Sequence, residues 1–202
     1  MHIKAVIWDI GGVLARTEDS TPRDKLADDL GISRDRLNHL VFACEKATEA
    51  QLGLISDIEL WRFIREQLNL LPEEIPDLRE RFFEGDIIDF SLVDYIRKLK
   101  NGLKTAILSN AWSNLRNVLE NQWEIADAFD IITISGEEGV AKPDPAIFNI
   151  CLNRLGVVPQ EAVFIDDFVK NIHSATNLGM HAIQFTSPQA VKSEINNLLS
   201  GN

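Results

Sequence analysis

Four short apolar runs in this chain, most of them β-branched, each stop at polar residues that packing alone does not require. Residues 3–8 run into Asp9-Ile10-Gly11-Gly12, residues 104–108 into Ser109-Asn110, residues 130–134 into Ser135-Gly136, and residues 162–165 into Asp166-Asp167. Apolar runs of that length, closed by turn residues, read as buried strands. A fifth, residues 182–185, completes the series. Between them the spacing becomes helical. Ser91 and Asp94 read as an N-cap and its N3 partner, with Gly102 as the stop, and residues 114–123, 145–155, 169–178 and 189–199 supply four more helices. Strand and helix alternate from residue 91 to the end. That alternation predicts an α/β fold, a doubly wound parallel Rossmann-like sheet with its ligand at the carboxyl ends of the strands.

Residues 17–90 break the rhythm, having no strand-like run and several amphipathic helical ones. Leu37, Leu40, Val41 and Cys44 follow i, i+3, i+4, i+7 spacing; Ser56 and Glu59 form a capping box ahead of Leu60, Trp61, Ile64 and Leu68. Pro72 and Pro76 punctuate a further short helix. The expected organisation is a core of residues 1–16 and 91–202 with an all-helical cap, residues 17–90, inserted after the first strand and lying over the strand ends.

Composition narrows the function classes. Asp plus Glu number 31 against 20 Lys plus Arg, a net charge of −11, which disfavours a nucleic-acid surface. The two cysteines, Cys44 and Cys151, match neither a disulfide scaffold nor a structural zinc site. Asp9 interrupts the N-terminal apolar run, so it does not read as a signal segment, and no apolar stretch is long enough for a membrane span. A soluble cytoplasmic protein is expected; monomer and homodimer both stay open.

The chemistry-bearing residues fall at strand ends: Asp9, then Ser109-Asn110, then Asp166-Asp167, with Lys142 expected at the start of the helix after a 136–139 loop. In a doubly wound sheet these ends converge, grouping three carboxylates, a hydroxyl and an amine. Carboxylates hold Mg²⁺, while lysine and serine neutralise and hydrogen-bond the oxygens of a phosphoryl group. His39, His173 and His181 have no partner spacing, and Trp61, Trp112 and Trp123 read as packing residues, Trp112 being near enough to Asn110 to line a site.

The order Trp8-Asp9-Ile10-Gly11-Gly12-Val13-Leu14, Leu108-Ser109-Asn110, Val140-Ala141-Lys142-Pro143-Asp144-Pro145 and Phe164-Ile165-Asp166-Asp167 resembles the haloacid dehalogenase superfamily of aspartate-nucleophile hydrolases. The resemblance spans nearly the whole chain. It implies that Asp9 attacks phosphorus to form an aspartyl-phosphate, and that Asp9, the Gly11 carbonyl and Asp167 hold Mg²⁺ with Asp166 as a ligand or a supporting partner. It further implies that Ser109, Asn110 and Lys142 bind and position the transferred group. Asn171 stands where many relatives carry another acid.

One position departs from that pattern. Most phosphatases of the superfamily carry a second Asp two positions after the nucleophile, as general acid and base; here that residue is Gly11. Some phosphatase-like relatives also carry glycine there. A cap residue, water or the substrate would have to compensate, with Arg16, Glu18, Asp19 and His39 as candidates. The leading expectation is a Mg²⁺-dependent phosphatase of a small soluble phosphomonoester, such as a sugar phosphate. Two alternatives stand beside it: a 2-haloacid dehalogenase, and a phospholigand-binding protein with weakened catalysis.

Overall fold

Strands apolar on both faces are stable only where helices cover both sides of the sheet. The computed structural model, which describes residues 2–71 and 75–201, has that arrangement. The chain opens with β1 (Ala5–Trp8) and β2 (Ala15–Thr17), then α1 (Thr21–Asp29), α2 (Arg34–Phe42), α3 (Glu45–Gln51), α4 (Asp57–Gln67) and α5 (Ile75–Phe83). Next come β3 (Asp86–Ile88), α6 (Phe90–Leu99), β4 (Lys104–Ser109), a helical turn α7 (Leu115–Asn117), β5 (Ile131–Ile134) and α8 (Ser135–Glu138). The chain closes with α9 (Pro145–Leu155), β6 (Ala162–Asp166), α10 (Val169–Asn177), β7 (His181–Gln184) and α11 (Pro188–Ser200).

Five strands form one parallel sheet in the order β5-β4-β1-β6-β7. Alternation along β1 assigns the two faces: Val6 and Trp8 join the cluster under α6 and α11, and Ala5 and Ile7 the one under α9 and α10. All four side chains are fully buried. Phe148 of α9 meets Phe164 of β6 edge-on at 5.1 Å between ring centroids; burying side chains of this size contributes about 1.5–3 kcal/mol each. Because β1 has β4 on one side and β6 on the other, the strand order reverses at β1. Ligands bind at such a switch point, at the carboxyl ends of the strands.

The five helices α1–α5 build a second core around Leu37, Leu40, Leu60, Trp61 and Phe82. The Ser56–Glu59 capping box forms as expected. The absence of strands expected between 17 and 90 is corrected by an antiparallel ribbon of β2 and β3 that carries the chain into and out of the helices. Each strand has only three residues, too few to show a period in the sequence. Cys44 caps α3 instead of ending α2. Pro72 falls outside the described residues, and Pro76 lies within α5.

Three helix expectations also shift. The N-cap of α6 is Asp89, whose side chain accepts the Leu92 N–H at 2.9 Å; Ser91 donates to Asp89 at 2.7 Å, and Asp94 pairs with Arg97. β3 ends at Ile88, and Asp89, its N–H held by the Leu14 carbonyl at 2.9 Å, follows directly and takes the cap. The helix expected over 114–123 is one α-turn followed by a π-helical turn, Val118–Gln122. Lys142 does not begin a helix: α9 starts at Pro145, capped by the Asp144 side chain on the Ala146 N–H, and ends at Gly156 with φ +64°. Proline at N1 and left-handed glycine after the last turn suit those places. No described helix is long and apolar enough to cross a membrane.

Candidate active site

Parallel register brings distant residues to one point. Trp8 pairs with Ile107 on one side and Ile165 on the other, so Asp9, one residue on, lies level with the end of β4 and with Asp166. Its N–H continues the ladder to the Ile165 carbonyl at 2.9 Å. Ser109 is the last residue of β4 and is buried.

Lys142 supplies the positive charge. Its side chain is fully buried, with Nζ 2.9 Å from Asp9 Oδ1 and 2.6 Å from Asp166 Oδ2, and it lies 5.4 Å from the centroid of the Phe164 ring. Asp9 Oδ1 also accepts the Ile10 N–H at 2.7 Å. Both donors engage Oδ1, which leaves Oδ2 for an incoming group. Burial pushes the Asp9 carboxyl up to about 6; Lys142 pulls it down and Asp166 adds to the rise. One lysine among three acids cannot neutralise them all.

The two adjacent acids differ in their surroundings. Asp166 is fully buried and held on every side: Lys142 Nζ and Asn171 Nδ2 approach Oδ2 at 2.6 and 3.0 Å, and the Phe168 N–H reaches Oδ1 at 2.7 Å. Asp167 is half-buried, and its Oδ1 is a buried acceptor with no donor among the described residues. Burial and the neighbouring Asp166 charge raise its pKa. Gly12, at φ +74°, lets the chain pass against this carboxylate, since a Cβ there would come within 2.2 Å of Asp167 Oδ2. Asp9, Asp166 and Asp167 each bring an oxygen within 4.8 Å of the others, a grouping able to hold one metal ion. Oxygen donors, surplus negative charge and an orphaned acceptor fit a hard divalent cation such as Mg²⁺. Asp166, already saturated with donors, fits a supporting place behind it.

The Asn110 side chain is engaged with the loop that carries Lys142. Its Nδ2 donates to the Lys142 carbonyl at 2.8 Å and its Oδ1 accepts the Lys142 N–H at 2.7 Å, so the amide clamps the lysine's main chain. Gly11 lies in an exposed turn bridged to Ala15, and a Cβ added there would meet nothing within 4 Å. The candidates for the missing acid are engaged elsewhere or exposed. Arg16 ties the Val13 carbonyl to Asp89 at 2.5 and 2.9 Å. His39 lines a cleft with Arg23, Asp35 and Phe42. Glu18 and Asp19 are exposed, Asp19 accepting the Thr21 N–H.

Two residues acquire parts that the sequence did not assign. Asn171 points its amide at both oxygens of Asp166, at 3.0 and 3.1 Å; its place five residues on, one turn into α10, was the available signal. Ser135, the polar residue that ends the third run, is buried and bonds the Ala111 main chain.

A family profile for haloacid dehalogenase-like hydrolases matches residues 3–179. The chain belongs to this family. Among curated relatives, D-ribitol-5-phosphate phosphatase of Bacteroides thetaiotaomicron is 26% identical over 199 residues, covering 90% of this chain and 91% of that protein. Mouse acyl-CoA dehydrogenase family member 10 is 39% identical over 100 residues, 48% of this chain but 9% of that protein. The matches to five of the curated relatives span only 9–36% of their lengths. A solved haloacid dehalogenase family enzyme from Bacteroides thetaiotaomicron, a mutant in complex with magnesium and inorganic phosphate, superposes with TM-score 0.75 at 25% identity, over 91% of this chain and 94% of that one.

Proposed function

We propose that this family member is a Mg²⁺-dependent phosphatase of small soluble phosphomonoesters, sugar phosphates among them, acting in the cytoplasm with residues 17–90 as a cap over the core. The observation that carries the reading is the pairing of Asp9, whose Oδ2 is unengaged, with a fully buried Lys142 and the orphaned Asp167 oxygen. The ribitol-phosphate phosphatase and the magnesium–phosphate complex among its relatives support it.

Asp9 Oδ2 attacks phosphorus in line, forming the Oδ2–P bond as the bond to the leaving oxygen breaks. Lys142 holds Asp9 Oδ1 away from the reaction and places a positive charge beside the transferred group. Ser109, at the end of β4, donates to a phosphoryl oxygen. Asp9 and Asp167, with the Gly11 carbonyl and with Asp166 behind them, would hold the Mg²⁺. When bound, the ion neutralises charge on the phosphoryl oxygens. Water then cleaves the aspartyl-phosphate and returns the Asp9 carboxylate. With Gly11 in place of an acid, the leaving oxygen takes its proton from water or from the substrate itself. A positioned acid contributes about 10²–10⁴-fold, so good leaving groups are favoured.

Phosphate release from a panel of small phosphomonoesters, with Mg²⁺ and with EDTA, tests the reading, with Asp9→Asn as control. Metal-dependent turnover lost in the control is expected. Gly11 favours one second reading, a protein that binds a phosphorylated ligand and turns it over poorly. Binding of substrates without release would establish that instead, and halide release from 2-haloacids without metal would establish a dehalogenase.

A further inference from the structure

Three consecutive residues after Ser109 reach into three different parts of the molecule. Asn110 clamps the main chain of Lys142 through both polar atoms of its amide. Ala111 is fixed to the end of β5: its N–H donates to Ser135 Oγ at 3.0 Å, and its carbonyl accepts the Gly136 N–H at 3.0 Å. Trp112 leaves the sheet and packs edge-on against Trp61 at 5.9 Å and Phe83 at 6.2 Å. Among the described residues, it is the one member of that hydrophobic cluster from outside residues 17–90.

A second contact seats the same helices on the same loop. Gly53, in the turn between α3 and α4, has φ +68°, and a Cβ there would come within 2.2 Å of the Gly136 carbonyl. Gly136 in turn is closed in by the loop, since a Cβ on it would lie 2.7 Å from Ser113 N and 2.8 Å from the Ala111 carbonyl. Two glycines stack cap backbone on core backbone at the place where Trp112 enters the cap.

We propose that Trp112 is a positioning residue that couples the seating of the helical cap to the alignment of Ser109 and Lys142, through Asn110 and Ala111. Consecutive Cα atoms are a fixed ~3.8 Å apart, so a cap displaced at Trp112 shifts the clamp on Lys142 instead of being absorbed by slack chain. Misplacing reacting groups by about 1 Å costs about 10²-fold in rate. The kinetic part of this inference rests on the phosphatase reading; the mechanical part does not.

The test compares Trp112→Ala, Trp112→Phe and Gly53→Ala with the parent by hydrogen exchange and by steady-state kinetics. In Trp112→Ala the amides of Ala111, Gly136 and Lys142 are expected to exchange at least ~10-fold faster, and kcat to fall ~10–100-fold with KM changed less than ~3-fold. Trp112→Phe, which keeps a ring in the cluster, restores both to within ~3-fold. Gly53→Ala lifts the cap by another route and loosens the same three amides, so a Trp112→Ala chain that fails to fold leaves the test intact. Faster exchange confined to the cap helices, or a rise in KM at constant kcat, overturns the coupling. Should the parent show no phosphatase turnover, the phosphatase reading falls and the exchange pattern alone decides this inference.

Discussion

Asp9→Asn should make the metal-free protein more stable while abolishing turnover. Asp9 is 7% exposed and shares one lysine with Asp166. Its carboxyl is raised from 3.8 to about 6, chiefly by burial. A group with a raised folded-state pKa weakens the fold as it ionises: the cost is absent below 3.8, builds through the interval and is complete above 6. At 1.36 kcal/mol per pH unit, the interval is worth about 3 kcal/mol at pH 7.5 and about half of that at pH 5. The Asn variant escapes this cost but weakens the bond from Lys142, a loss of about 1–2 kcal/mol. The net gain expected at pH 7.5 is therefore about 1–2 kcal/mol, or roughly 3–6 °C in Tm for a chain of this size.

The assay is urea and thermal unfolding of both proteins in EDTA at pH 7.5 and pH 5, repeated with Mg²⁺. The variant's advantage should be largest at pH 7.5 and should shrink or reverse at pH 5. Saturating Mg²⁺ should erase it by stabilising the parent, by about 2.7 kcal/mol at a hundredfold excess over Kd. An Asn variant less stable than the parent at pH 7.5 in EDTA, or an advantage that does not decline with pH, would refute the account of Asp9 as a carboxylate under strain.

Three further substitutions probe the same site. A Cβ at Gly11 meets nothing within 4 Å, and restoring an acid there by Gly11→Asp should raise kcat on alkyl phosphates at least ~10-fold, with little change on a substrate with a good leaving group; identical kinetics in a folded variant would show that the missing acid is not limiting. Gly12→Ala drives a Cβ into Asp167 and requires φ +74°, so calorimetric titration should find Mg²⁺ binding weakened ~10-fold or more, and unaltered affinity would remove Asp167 from the metal site. Asn171→Leu takes away both amide contacts to Asp166; kcat/KM should drop about 10–100-fold, the usual range for partners behind metal ligands, and an unchanged value would make Asn171 a packing residue only.

What the sequence made legible is what local chemistry writes down. Buried strands declare themselves by apolar runs and the Ser56–Glu59 box by its spacing. The convergence of Asp9 and Asp166 follows once a doubly wound sheet is assumed, because that topology sends strand ends to one edge, whereas Lys142 reaches them from the loop between α8 and α9. The ribbon of β2 and β3 was not legible: its strands pair across the whole helical insertion, and nothing within three residues records a partner about seventy positions away. Asp89 and Ser91 are both able to cap α6, and the end of the ribbon at Ile88 decides between them.

Asn110 shows the same limit in the site itself. Its position beside Ser109 made it a candidate to position the transferred group, and nothing local records that its side chain takes both the N–H and the carbonyl of Lys142, thirty-two residues on. A buried lysine bearing on two carboxylates needs its main chain fixed as firmly as its side chain, and a carboxamide offers a donor and an acceptor at the spacing a peptide group presents. Asn171 serves Asp166 with the same functional group. Both asparagines hold ionic groups of the proposed site, one by the main chain of Lys142 and the other by the carboxylate of Asp166. In a site whose charges do not balance, neutral side chains able to donate and accept can fix the ionic groups in place without adding to the imbalance.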